Sequence, residues 1–97
     1  MFSALGKELR KFPLYESSVY EKEGHMSVME GGIVLDFNGS VIDISHLMIE
    51  DVRVLEVLPS AKCHVGLKYC NYMGSTVDLR MVMSEEDYRF LSSAIKK

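Results

Sequence analysis

The four residues Phe37-Asn38-Gly39-Ser40 constrain this 97-residue chain more tightly than any other stretch. Asn-Gly readily takes the positive φ angles that a two-residue hairpin turn demands. Apolar arms flank it, GGIVLDF before and SVIDIS after. Ile33, Leu35 and Phe37 share one face of the first arm, and Ile42 and Ile44 give the second arm an apolar face. Residues 30–45 are therefore predicted to form a β-hairpin.

The β pattern extends on both sides of that turn. HMSVME precedes it with glycines for punctuation, and after the polar-ended transition HLMIED the segment DVRVLEVL reads as a strand that stops at Pro59. KCHVGLKYC alternates, with Cys63, Val65, Leu67 and Tyr69 on one face and His64, Lys68 and Cys70 on the other. Asn71-Tyr72-Met73-Gly74 reads as a turn, and STVDLRMVM then sets Val77, Leu79, Met81 and Met83 inward. These two strands are predicted to make a second hairpin.

The chain closes on a helix. Ser84 is placed to accept from the N–H three residues on, and Glu85, Glu86 and Asp87 in the first turn favour the positive end of the helix dipole. Tyr88, Leu91 and Ile95, with Phe90 and Ala94, form its apolar face, and Lys96 and Lys97 suit its negative end. At the other terminus Phe2, Leu5, Leu9 and Phe12 fall at steps of three and four, opposite Lys7, Arg10 and Lys11. That spacing predicts a short amphipathic helix over 1–13, ended by Pro13, and docked on its own domain or else on a partner or a membrane surface. Residues 14–23 read as an edge strand or an extended connection.

Antiparallel strands on short turns followed by one terminal helix define an α+β, mainly antiparallel β class. The segments GGIVLDF, SVIDISHLMIEDVRVLEV, STVDLRMVM and SEEDYRFLSSAIKK resemble the pleckstrin-homology-like group, including GRAM-type domains. The resemblance covers about residues 26–97. It implies a bent barrel or sandwich of about six to seven strands closed by the C-terminal helix, with Phe90 in the packing role that tryptophan fills in many members. The expected organisation is an N-terminal helix over 1–13 and a single domain over 14–97. Phosphoinositide binding, known in part of that group, needs clustered Lys and Arg, and EGHMSVMEGG has none.

Composition narrows the function classes. With 11 Lys+Arg against 14 Asp+Glu the formal charge is −3, and the basic residues are scattered, which disfavours nucleic acid. No apolar run approaches the ~20 residues of a membrane-spanning helix, and the first dozen residues lack the pattern of a signal peptide, so a cytoplasmic location is expected. His25, His46 and His64 with Cys63 and Cys70 show no paired zinc spacing. Glu50-Asp51 falls in a turn and Glu85-Glu86-Asp87 at a helix start, so neither reads as catalytic. On an extended strand Cys63 and His64 point to opposite faces, and Cys70 is six residues from His64, which separates thiol from base.

Seven methionines are many for this length, and flexible thioethers suit adaptable contact surfaces. Met48, Tyr72 and Met73, in or beside turns, are the interface candidates, together with Phe2, Leu5, Leu9 and Phe12. The reading is a non-catalytic protein-binding or adaptor module with no cofactor and no metal, binding a protein partner or self-associating by an edge strand or the N-terminal helix. The alternative is a regulatory domain that binds a small ligand or a metal, with the barrel mouth or a His/Cys cluster as the site.

Overall fold

The computed structural model describes residues 5–15, 22–37 and 39–95. Seven strands are found among them: β1 (Glu8–Tyr15), β2 (Lys22–Met29), β3 (Gly32–Phe37), β4 (Ser40–Ser45), β5 (Ile49–Leu58), β6 (Lys62–Cys70) and β7 (Thr76–Ser84). A 3-10 turn at His46–Met48 joins β4 to β5, and one helix, α1 (Glu85–Ile95), follows β7. All pairings are antiparallel, in the order β4-β3-β2-β1-β7-β6-β5.

Both predicted hairpins are present, the first with the two-residue turn that Asn38-Gly39 implies. Phe37 lies opposite Ser40, Leu35 opposite Ile42 and Ile33 opposite Ile44, and Gly39 takes φ +79° at the tip. In the second hairpin Cys63 pairs with Met83, Val65 with Met81 and Leu67 with Leu79, so the inward faces of the two strands coincide. Cys63, Val65, Leu67, Tyr69, Met81 and Met83 are all buried.

The N-terminal segment departs from expectation. No helix forms over residues 5–15; Glu8–Tyr15 is a strand whose buried residues, Phe12 and Leu14, follow period two. Pro13 hides that alternation in the sequence, because it reads as a helix stop. A proline is tolerated in a strand where no ladder hydrogen bond is needed, and the β7 side of β1 carries a single pairing, Tyr15 with Val82. Phe12 is thus core rather than interface, Leu9 is half exposed, and Leu5 is half-buried with its carbonyl accepting from the Gly31 N–H at 2.8 Å. Phe2 lies outside the described residues. The boundary expected after residue 13 falls inside β1.

The sheet is not closed, so of the expected barrel or sandwich the closed barrel does not form. β4 and β5 end the strand order, and although the 3-10 turn makes them consecutive, β5 pairs with β6 from Ile49 onward and diverges from β4. One core nevertheless holds residues of every strand and of α1, so the meanders β1–β4 and β5–β7 bury their inner faces together. They meet through the single Tyr15–Val82 pairing, through side chains and through α1.

α1 is built as its sequence predicts. Ser84 Oγ accepts from the Asp87 N–H at 3.1 Å, and Leu91 is fully buried with Tyr88, Phe90, Ala94 and Ile95 packed around it. Lys96 and Lys97 lie outside the described residues. Asp87 has a second role that periodicity does not reveal. Its Oδ1 accepts from Arg10 Nε at 3.0 Å and Nη2 at 2.8 Å, and the Arg10 guanidinium lies 5.3 Å from the centroid of the Phe90 ring. This ion pair ties β1 to α1 across the seam that β1 and β7 leave almost unpaired.

Candidate functional site

Where β4 and β5 part, the surface opens into an apolar cleft of about 270 Å³. Ile42, Ile44, Leu47, Met48, Tyr69 and Tyr72 line it, and Asp43 and Asn71 stand among its polar lining residues. Three segments position these side chains: the end of β4, the 3-10 turn, and the end of β6 with the turn that follows.

Both turns are fixed by local hydrogen bonds. Ser45 caps the 3-10 turn, its Oγ accepting from the Leu47 N–H at 3.3 Å, while the His46 N–H donates to the Gly31 carbonyl at 2.9 Å. Asn71 Oδ1 accepts from the N–H groups of Met73 and Ser75, each at 3.0 Å, and Gly74 supplies φ +80°. An Asx turn of this kind satisfies backbone donors that would otherwise face water. It leaves Tyr72 and Met73 nine-tenths exposed, and Leu47 across the cleft is 83% exposed. Such exposure of large apolar groups on two pre-set turns is what distinguishes this place from the rest of the surface.

Of the residues singled out from sequence, the structure brings Met48 and Tyr72 to one cleft. Met73 stands on the same turn without lining it. Phe12 and Leu9 belong to β1, and Leu5 to the segment leading into it. Leu47 was missed, although its place beside Met48 in the transition HLMIED offered a signal. Val54, Leu55 and Val57, exposed along β5, were missed as surface because the sequence does not disclose that β5 is an edge.

The two thiols differ in environment. Cys63 is buried, and desolvation, with a smaller contribution from the Glu85 carboxylate, pushes its pKa up. Neighbouring His64 sits on the opposite face, in register with Glu56. Cys70 is half-buried and its Sγ lies 3.6 Å from the Asn71 carbonyl. Among the described residues no three His, Cys, Asp or Glu side chains gather as metal ligands. A thiol reagent at neutral pH is expected to modify Cys70 in the folded protein and Cys63 only on unfolding; rapid reaction of both would show that Cys63 is not shielded. Because the folded Cys63 thiol ionises at higher pH than the unfolded one, its contribution to stability is full below the ordinary cysteine range and declines as pH rises through it.

Comparison with known proteins adds the fold and no activity. No family model and no curated protein matches the chain. The structure is similar to the crystal structure of the C-terminal domain of an unknown protein from Leishmania infantum, with a TM-score of 0.62 and 14% sequence identity over 94% of this chain and 85% of that one. The likeness is one of fold alone.

Proposed function

We propose that this domain is a non-catalytic protein-binding module of pleckstrin-homology-like architecture. It takes a short segment of its partner into the cleft between β4, the 3-10 turn and the β6–β7 turn. The observation that carries this reading is the convergence of Leu47, Met48 and Tyr72, from two separate turns, on one apolar cleft. The architectural part is supported by two meanders followed by a helix that packs on their shared core. Phosphoinositide recognition is not part of the proposal, since the β1–β2 connection, ESSVYE, holds no Lys or Arg.

The size and charge of the cleft define its occupant. Small-molecule sites usually enclose about 300–1,000 Å³ and bury most of the ligand, so a cleft of about 270 Å³ open along one side suits an anchoring side chain better. Asp43 is the charged residue of the lining and the chain carries a formal charge of −3. The partner segment is accordingly one with a bulky apolar residue next to a lysine or arginine.

Selection from a displayed random-peptide library tests this. Enriched sequences should share an apolar anchor beside a basic residue, and Leu47→Asp or Tyr72→Ala should weaken their binding at least tenfold while leaving the denaturation midpoint unchanged, because both side chains are exposed. Failure to enrich any sequence, or equal capture of the same peptides by Leu47→Asp, would remove the cleft from the reading. Binding of a small apolar probe with no peptide enriched would favour the small-ligand alternative.

A further inference from the structure

The free edge of β5 shares no residue with the cleft and has its own character. β5 ends the sheet order, so the backbone groups on its outer side have no strand partner among the described residues. It is ten residues long and exposes Val54, Leu55 and Val57, the last at 70%. A groove lined by Val54, Val57, Cys63 and Tyr88, with Glu85 and Arg89, runs along its inner side, between the strand and α1. A free edge of this length offers its N–H and C=O groups to another strand, and the charges it carries, Glu50, Asp51, Arg53 and Glu56, restrict which strand can pair with it.

The pairing of β5 with β6 shows which strand fits. Val52, Val54 and Val57 lie opposite the buried Leu67, Val65 and Cys63 and so face inward. Asp51, Arg53 and Glu56 lie opposite Lys68, Gly66 and His64 and face outward. Between Val54 and Glu56 the register shifts by the inserted Leu55, so the inward and outward series change parity there. An antiparallel partner must therefore change parity at the same point, and a second copy of β5 does so on either side of a two-fold axis that passes between Val54 and Leu55; at the axis itself the inserted Leu55, whose side chain lies over Gly66 on the outer face, meets the partner's Val54.

We infer that β5 pairs antiparallel with the β5 of a second copy, joining two sheets edge to edge about that axis. Arg53 then faces the partner's Glu56 on the outer side, twice by symmetry. Val52 faces the partner's Val57 on the inner side, which places an apolar residue at the mouth of each Val57–Tyr88 groove. Neighbouring registers fail. An axis through Val54 or through Leu55 puts inward residues opposite outward ones. An axis one step toward the amino end brings Asp51 against the partner's Glu56. One step the other way sets Arg53 against the partner's Leu58 and so breaks its pairing with Glu56.

Sedimentation velocity over a concentration series of the full chain reads the outcome. The unmodified protein should move toward twice the chain mass as concentration rises. Arg53→Glu and Glu56→Arg should each weaken association at least tenfold, since each places like charges face to face. The two substitutions in one chain should restore the dimer, and a mixture of the two single variants should form a heterodimer. Arg53 is about two-thirds exposed and Glu56 is exposed, so circular dichroism should show all variants folded; were Arg53→Glu to misfold, Glu56→Arg alone still decides. A chain that stays monomeric at every concentration, or a dimer indifferent to Glu56→Arg, overturns the inference.

Discussion

Replacing Gly32 with alanine is expected to destabilise the domain by about 3 kcal/mol, the upper end of the cost of overpacking a close contact. Gly32 opens β3 opposite Ser45, and a Cβ there would clash with the Ile44 carbonyl oxygen and sit 2.9 Å from the Ser45 Cα. These are backbone atoms of the paired strand, so no side chain can turn aside to relieve the clash. β3 and β4 would have to separate at this end. The damage would reach the cleft, because Ile44 and Ser45 line it and the adjacent Gly31 carbonyl accepts from His46 in the 3-10 turn. Gly39→Ala is the matching control: its Cβ meets nothing within 4 Å, leaving only the strain of φ +79°, about 1 kcal/mol. Urea denaturation of the two variants measures the difference, and equal losses would show that the β3–β4 approach is not tight.

Asp87→Ala is expected to cost about 2 kcal/mol, below the roughly 3–5 kcal/mol seen when fully buried ion pairs are broken. The reduction follows from Arg10, whose side chain remains 35% exposed and keeps part of its hydration, whereas the Asp87 side chain is 10% exposed. A carboxylate acting only on the helix dipole would be worth about 0.3–1 kcal/mol. The excess belongs to the two hydrogen bonds from Arg10, with Glu86 Oε1 at 3.7 Å adding a weak second attraction. A double-mutant cycle with Arg10→Ala separates the two contributions. Coupling of about 1.5 kcal/mol is expected from a charge-assisted, partly buried pair; coupling near zero would reduce Asp87 to a helix-start residue.

These two sites mark where the sequence is legible and where it is not. The hairpins were readable because Asn38-Gly39 and the alternation from Cys63 to Tyr69 are local, and a register of period two follows from them directly. The Ser84 cap was readable for the same reason. Phe12 and Leu14 were not, since their alternation spans only three residues and a proline divides it, while Leu5, Leu9 and Phe12 mimic a helical stripe. The bond between Arg10 and Asp87 joins residues 77 apart in sequence, and no periodicity encodes it. Met48 and Tyr72 were identified singly as turn residues, but their meeting in one cleft depends on how the two meanders pack. The exposure of β5 depends on strand order, which neither propensity nor alternation specifies.

The seam between the meanders also governs how the molecule comes together and apart in time. Every strand pairing except Tyr15 with Val82 joins strands consecutive in sequence. Short loops close early and at small entropic cost, while a contact between the two ends of the chain must wait until the intervening parts are in place. The Arg10–Asp87 bond is therefore expected to form after the rate-limiting barrier to folding. Its loss should leave the folding limb of a chevron nearly unchanged and raise the unfolding limb, so that this bond acts as a brake on opening and has little part in assembly.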